Sequence, residues 1–202
     1  MKLSKQKIFL IIIISFAFLI GCSRNKSYIE EYEYGLLYTS NSGSVVSLYD
    51  KQGENLGEKN LNVSGITFGS FMKNGIEVKD KLYYAAPLAG SNQQDFVVEM
   101  DKDKLSVSKI KSTGVTPTFF SSDGKYTFSG ISSLNNSQII KTNIEKNKVI
   151  GTNELEGQGI NMIEDGNQLY ILSINHNDSG KSTSGNLYTI DKSSFKVLNK
   201  IV

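Results

Sequence analysis

Beyond residue 33 the apolar positions of the chain fall in short bursts separated by polar turns, and they never settle into a capped helical stripe. The segment from Thr118 shows the unit. Thr118 to Phe120 is apolar, Ser121-Ser122-Asp123-Gly124 is a turn, Lys125 to Ser129 alternates, and Leu134 to Gln138 is a loop. Ile139 to Ile144 follows as a run, Glu145 to Asn147 turns, and Lys148 to Asn153 closes. Runs rich in Val, Ile, Tyr, Phe and Thr, bounded by Asp-Gly, Asn-Gly and Asn-Lys, predict hairpins. Only Pro87 and Pro117 interrupt the chain. The prediction is an all-β domain over residues 34–202.

The unit repeats. Tyr38, Tyr83, Tyr126 and Tyr170 each sit in a short apolar run and are 45, 43 and 44 residues apart. A second anchor, an acidic residue followed by lysine, recurs at Asp50-Lys51, Asp101-Lys102, Glu145-Lys146 and Asp191-Lys192 with spacings of 51, 44 and 46. Two anchors in step four times predict four units of four antiparallel strands, the period of propeller blades. The acidic-Lys turns and the Asp123-Gly124-Lys125-Tyr126 segment resemble bacterial β-propellers of the YVTN/WD40-like class. The resemblance implies about four blades in a partial or truncated propeller after an N-terminal signal helix. Two readings of the count stand open: truncation of a longer chain, or closure by Tyr28 to Tyr34 supplying the first strand of unit one.

The amino terminus follows another logic. Met1 to Lys7 is short and basic, Ile8 to Ile20 is apolar apart from one serine, and Gly21-Cys22 follows at once. That order is a secretory leader. Ile8 to Ile20 as a helix reaches only about 20 Å against a hydrocarbon core of roughly 30 Å, so a stable span is the poorer reading. Leu19-Ile20-Gly21-Cys22 resembles the lipobox of bacterial prolipoproteins. That resemblance implies cleavage after Gly21, acylation of the Cys22 thiol, and a place on the extracytoplasmic side of the cell membrane. More than one acyl chain, at about 0.8 kcal/mol per buried CH₂, anchors durably. An uncleaved anchor and an ordinary signal peptide with a chance cysteine are the alternatives. The expected division is a signal peptide over 1–21, a lipidated tether over 22–33 and the repeat domain over 34–202.

Composition narrows the function classes. The formal charge is +2, but Lys2, Lys5 and Lys7 lie in the leader, and removing them from the 22 basic residues leaves 19 against 20 acidic. Nucleic acid is not an expected partner without a basic footprint. A single cysteine excludes an internal disulfide and a thiolate metal cluster, and no cofactor is expected.

In a four-stranded antiparallel blade, the link between second and third strands emerges on the same edge as the link to the next blade. The acidic-Lys turns lie on the opposite edge. The second-to-third loops, read as Pro87 to Gln94, Ile131 to Ser137 and Asn175 to Gly185, are the longest, and long polar loops on a rigid scaffold carry binding residues. Asn175, His176, Asp178 and Lys181 are the candidate binding residues. Gly180-Lys181-Ser182 lacks the earlier glycine and the helix of a phosphate loop. His176 is the one histidine, with no second to share a metal, and Asn175, Asn177 and Asp178 fall short of a calcium loop. The repeated tyrosines are expected to pack between blades, and Asp50, Asp101, Glu145 and Asp191 to form turns. No Ser-His-Asp arrangement can be placed. The primary expectation is a non-catalytic binding or interaction module for a protein or cell-wall ligand. The alternatives are a propeller-type enzyme, lyase or cyclotransferase-like, and an inactive fragment of a longer propeller lipoprotein.

Overall fold

The computed structural model describes residues 32–40, 42–63, 75–85, 96–112 and 117–202. The leader, Cys22 and nearly all of the tether lie outside the described residues, as do the Pro87 to Gln94 loop and most of Val63 to Gly75. Among the described residues every regular element is a strand, and none is a helix long and apolar enough to cross a membrane.

The strands form four antiparallel sheets, each strand pairing with its neighbour in sequence. Sheet 1 comprises β1 (Tyr34–Thr39), β2 (Ser44–Tyr49) and β3 (Asn55–Leu61). Sheet 2 comprises β4 (Ile76–Val78), β5 (Lys81–Ala85), β6 (Phe96–Asp101) and β7 (Val107–Lys111). Sheet 3 runs through β8 (Phe119–Ser122), β9 (Tyr126–Ser132), β10 (Asn136–Asn143) and β11 (Lys148–Glu156). Sheet 4 is β12 (Gln158–Asp165), β13 (Gln168–His176), β14 (Ser182–Asp191) and β15 (Lys196–Ile201). The repeat holds, since Tyr38, Tyr83, Tyr126 and Tyr170 fall on β1, β5, β9 and β13. Sheet 1 shows three strands among the described residues, one fewer than the expected unit. Tyr34, which one of the two open readings placed in a first strand, opens β1, which occupies the second-strand place, and residues 28–31 of that reading lie outside the described residues.

Consecutive sheets are joined face to face, each pair by one apolar cluster. Val46, Leu48 and Leu61 of sheet 1 meet Tyr84, Phe96, Val98 and Met100 of sheet 2. Tyr83, Val97 and Ile110, on the other face of sheet 2, meet Phe120 of sheet 3. Because sheet 2 is covered on both sides, Phe96-Val97-Val98 reads as an unbroken apolar run rather than an alternation. Phe119, Phe128, Ile139 and Leu155 of sheet 3 meet Met162, Leu169, Ile171, Tyr188 and Ile190 of sheet 4. In that last joint the Phe119 ring fits only because two neighbours lack side chains: a methyl at Gly130 would come within 2.1 Å of it and one at Gly159 within 2.4 Å.

The acidic-Lys turns close as expected in three sheets. Asp50 Oδ1 accepts the N–H groups of Gln52 (2.9 Å) and Glu54 (2.8 Å), Asp101 Oδ1 that of Lys104 (2.9 Å), and Asp191 Oδ1 that of Ser194 (2.6 Å). In sheet 3 the acceptor is Asn143, whose Oδ1 takes the Lys146 N–H at 2.8 Å, and not Glu145. The shorter Asx side chain reaches the backbone two or three residues on, and a glutamate carries one methylene too many for that ring. Each of these turns ends in a left-handed residue, Gly53, Leu105, Asn147 or Phe195. Leu105 and Phe195 hold that uncommon geometry because their side chains are fixed in the clusters between sheets.

Candidate functional site

Two edges of the sheets present chemistry. On the loop edge the hairpins are tighter than the sequence suggested. Pairing in sheet 4 continues to His176 opposite Ser182, leaving only residues 177–181 as a turn, and in sheet 3 only residues 133–135 separate β9 from β10. The ladders extend because Ser, Asn and Gly supply backbone hydrogen bonds as well as apolar residues do, and buried hydroxyls close the gaps. Ser137 Oγ donates to the Gly157 carbonyl (2.7 Å) and accepts the Gly159 N–H (2.6 Å).

Of the sequence-selected residues, Asn175 and His176 belong to one polar row at the end of sheet 4. Asn175 Nδ2 donates to Ser184 Oγ (2.9 Å), while its Oδ1 accepts from Nδ2 of the buried Asn186 (3.0 Å). His176 places Nε2 3.0 Å from Gln158 Oε1 and Nδ1 3.2 Å from the Gly180 carbonyl. Both ring nitrogens thus have protein oxygens as partners. Asp178 and Lys181 stand exposed on the turn, where Asn177 Oδ1 accepts the N–H groups of Ser179 (3.2 Å) and Lys181 (2.9 Å). Asn177 thus closes the turn through the backbone.

On the opposite edge the sheets assemble two charged clusters that sequence reasoning missed. In sheet 2, Lys81 lies opposite Asp101 and Tyr83 opposite Glu99, all on the face toward sheet 3. Lys81 Nζ is 3.2 Å from Asp101 Oδ2 and 3.5 Å from Glu99 Oε1, and the Tyr83 hydroxyl donates to Glu99 Oε2 at 3.0 Å. Lys81, Tyr83 and Glu99 line a cleft of about 310 Å³ that the Asp123-Gly124-Lys125 turn of sheet 3 completes. Between sheets 3 and 4 the buried ammonium of Lys192 bridges Asp123 (3.0 Å) and Glu164 (2.5 Å). Lys102 repeats half of this bridge in sheet 2 by pairing with Glu77. The missed signal was register: Lys-x-Tyr and Glu-x-Asp each place two residues on one strand face, but their opposition depends on where β5 and β6 begin.

The electrostatics of these groups share one direction. Burial, reinforced by the Glu99 carboxylate, pushes the Tyr83 phenol well above its usual value. Burial would lower Lys81 and Lys192, but hydrogen bonds to their carboxylates outweigh it and raise both. Burial likewise would raise Asp123, and the N–H groups of Tyr126 and Lys125 together with Lys192 overcome it, holding the carboxyl below the usual range. The Ser193 hydroxyl, with the Ser194 N–H and hydroxyl, holds Asp191 down to about 2. Each group is fixed more firmly in the charge state it already has at neutral pH. The arrangement offers fixed dipoles and charges. Among the described residues no group of three or more His, Cys, Asp or Glu side chains is placed to hold a metal ion.

Similarity to solved structures agrees with this geometry. The chain superposes on Kuenenia stuttgartiensis hydrazine synthase with a TM-score of 0.52 at 15% identity, over 79% of this chain and 48% of that one. It matches the dihydro-heme d1 dehydrogenase NirN in complex with DHE at 0.53 and 16% identity, over 83% and 35%. It matches the Dos1 propeller at 0.53 and 14% identity, over 83% and 44%. The fold is a β-propeller. At these identities the likeness concerns the fold alone, and the match spans less than half the length of each of those chains. No protein-family model and no curated protein matches the chain.

Proposed function

We propose that the protein is a non-catalytic binding module, carried on the extracytoplasmic face of the membrane by acyl chains on Cys22, with Asn175, His176, Asp178 and Lys181 presented to a protein or cell-wall ligand. The observation that supports the binding reading is the polar row at the end of sheet 4, where Asn175 is held by Ser184 and Asn186 and His176 by Gln158 and the Gly180 carbonyl, beside the exposed Asp178 and Lys181. The fold does not decide between binding and catalytic classes, since the matched structures include a hydrazine synthase and a dihydro-heme d1 dehydrogenase beside the Dos1 propeller. The loop edge of sheet 4 suits recognition because its polar groups are pre-set by one another, so little freedom is lost when a partner docks.

Two measurements test the reading. Metabolic labelling with palmitate should mark the native chain and leave a Cys22→Ser variant unlabelled and released from the membrane fraction; an unlabelled native chain removes the anchor. Binding of purified cell envelopes should fall at least about tenfold when Asp178 and Lys181 are both changed to alanine. Unchanged binding moves the ligand away from this edge.

A further inference from the structure

The joint between sheets 2 and 3 is built unlike its neighbour between sheets 3 and 4. Toward sheet 3, sheet 4 turns Leu169, Ile171 and Ile190, all fully buried. Toward sheet 2, sheet 3 turns Thr127, Ser129 and Thr142, equally buried, and none of their hydroxyls has a hydrogen-bond partner among the described residues. Hydroxyls left unpaired in a sealed joint are unfavourable, and apolar side chains of the sheet 4 kind would pack there without that cost. Facing this polar wall, sheet 2 presents Lys81, Tyr83 and Glu99.

The edge of this joint is open as well. At the joint of sheets 3 and 4, Lys192 follows the turn-forming Asp191 and spans Asp123 and Glu164. In sheet 3 the residue after the turn-forming Asn143 is Ile144, which packs into the apolar cluster and brings no ammonium to the edge. What stands there instead is the cleft of about 310 Å³, walled by Val78, Lys79 and Asp80 of one turn and by Asp123, Gly124 and Lys125 of the next. Two of its carboxylates are engaged, Glu99 by Lys81 and Tyr83, and Asp123 by Lys192. Lys79 and Lys125 have no carboxylate partner among the described residues, although Lys125 Nζ lies 5.1 Å from the Tyr126 ring. Asp80 is unpaired too, so two ammonium groups against one carboxylate leave the mouth with an excess of positive charge. The links from β1 to β2, β3 to β4, β5 to β6 and β7 to β8, where the internal residues outside the described set fall, start and end at the opposite edge.

We propose that this cleft is a binding site for an acidic sugar about one ring in size, its carboxylate or phosphate between Lys79 and Lys125 and its ring hydroxyls on Lys81 and Glu99. A fixed ammonium–carboxylate pair suits a hydroxyl, which accepts from the one and donates to the other. The volume lies at the small end for ligand pockets and holds one ring with little to spare. The cleft is on the edge opposite Asp178 and Lys181, and the proposal does not rest on the reading of that edge.

Isothermal titration calorimetry of the full chain in mild detergent tests it, with glucuronate, glucose 6-phosphate, glucose and inorganic phosphate as probes. Glucuronate or glucose 6-phosphate should bind with a dissociation constant below about 1 mM, and the one that binds tells a sugar acid from a sugar phosphate. Glucose and inorganic phosphate should each bind at least about tenfold more weakly, the first lacking the anion and the second the ring. Lys79→Gln combined with Lys125→Gln should weaken the acidic sugar about tenfold or more, while Lys146→Gln combined with Lys148→Gln, outside the cleft, should leave it unchanged. All four lysines are exposed, so both double variants should keep their strands by circular dichroism. Failure of both acidic sugars to bind at about 10 mM overturns the proposal. So does an affinity that falls equally in the two double variants, which marks attraction to surface charge alone. Glucose or inorganic phosphate bound as tightly as the acidic sugars also overturns it, since the site then reads only one half of the ligand.

Discussion

Phe128 and Leu172 occupy the same place in consecutive repeats, and the first is sealed while the second is 41% exposed. Their strands carry similar alternations and pair with similar registers. What differs is the company: among the described residues sheet 3 is covered on both faces, and sheet 4 on one. Burial in this fold is a property of the joint between sheets and not of the strand that supplies the side chain. The same contrast runs through the lysines, since Lys141 at the sheet 3 joint is buried over the Tyr126 ring at 4.3 Å, whereas Lys200 on β15 lies at the surface. Stability should therefore be concentrated in the three joints.

The sharpest way to break the comparison is at Phe128. Removing its ring leaves a cavity among Tyr126, Phe195 and the sheet 4 cluster, and Phe128→Ala should cost about 3–5 kcal/mol in urea unfolding. Close behind is Gly159→Ala. Its methyl would meet the Phe119 ring at 2.4 Å and Ser137 Oγ at 3.0 Å, and neither can withdraw from a filled joint, so a loss of roughly 2–3 kcal/mol is expected. An unchanged midpoint for either variant would mean that the joint is looser than its contacts imply.

These two residues also mark what the sequence made legible. Phe128 could be assigned to a buried strand face from its alternation with Tyr126, and the 44-residue spacing correctly gave four repeated sheets. The role of Gly159 was hidden, because a glycine beside a turn reads as punctuation until the ring facing it is known. The same holds at the candidate sites. Asp50, Asp101 and Asp191 were recognisable as turn formers, but Asn143 was passed over for Glu145, since the acidic-Lys pattern slips by two residues in sheet 3. All four repeated tyrosines were expected between blades, and among the described residues Tyr83 and Tyr126 are; Tyr170 lies on the outer face of sheet 4, and Tyr38 faces away from sheet 2 because sheet 1 is one residue out of phase with the others. The charged clusters depend on contacts between sheets, which no local pattern records.

The bridge at Lys192 sharpens the comparison electrostatically. Replacing Lys192 with methionine leaves Asp123 and Glu164 facing each other without the ammonium, at a cost of roughly 2 kcal/mol, while Lys102→Met, at an exposed pair, should leave the midpoint unchanged. The acid limb follows from the sign of the Asp123 displacement. Its carboxyl titrates lower in the folded chain than in the unfolded one, so its contribution is complete above the unfolded value near 3.8 and is lost as pH falls through the folded value. Stability measured from pH 6 down to pH 2 should drop less steeply in Asp123→Asn than in the native chain. A native profile flat over that range would show that the bridge contributes nothing.

The smallest effect is the most informative about the open face. In a lone chain Leu172 is partly solvated already, and Leu172→Ala should change stability by no more than about 0.5 kcal/mol in dilute solution. Phe128→Ala differs because its ring is sealed within the joint of sheets 3 and 4. A Leu172→Ala penalty as large as that of Phe128→Ala would show that the outer face of sheet 4 is covered in solution. Unfolding midpoints of the two variants, taken side by side, separate a side chain held in a joint from one on an outer face.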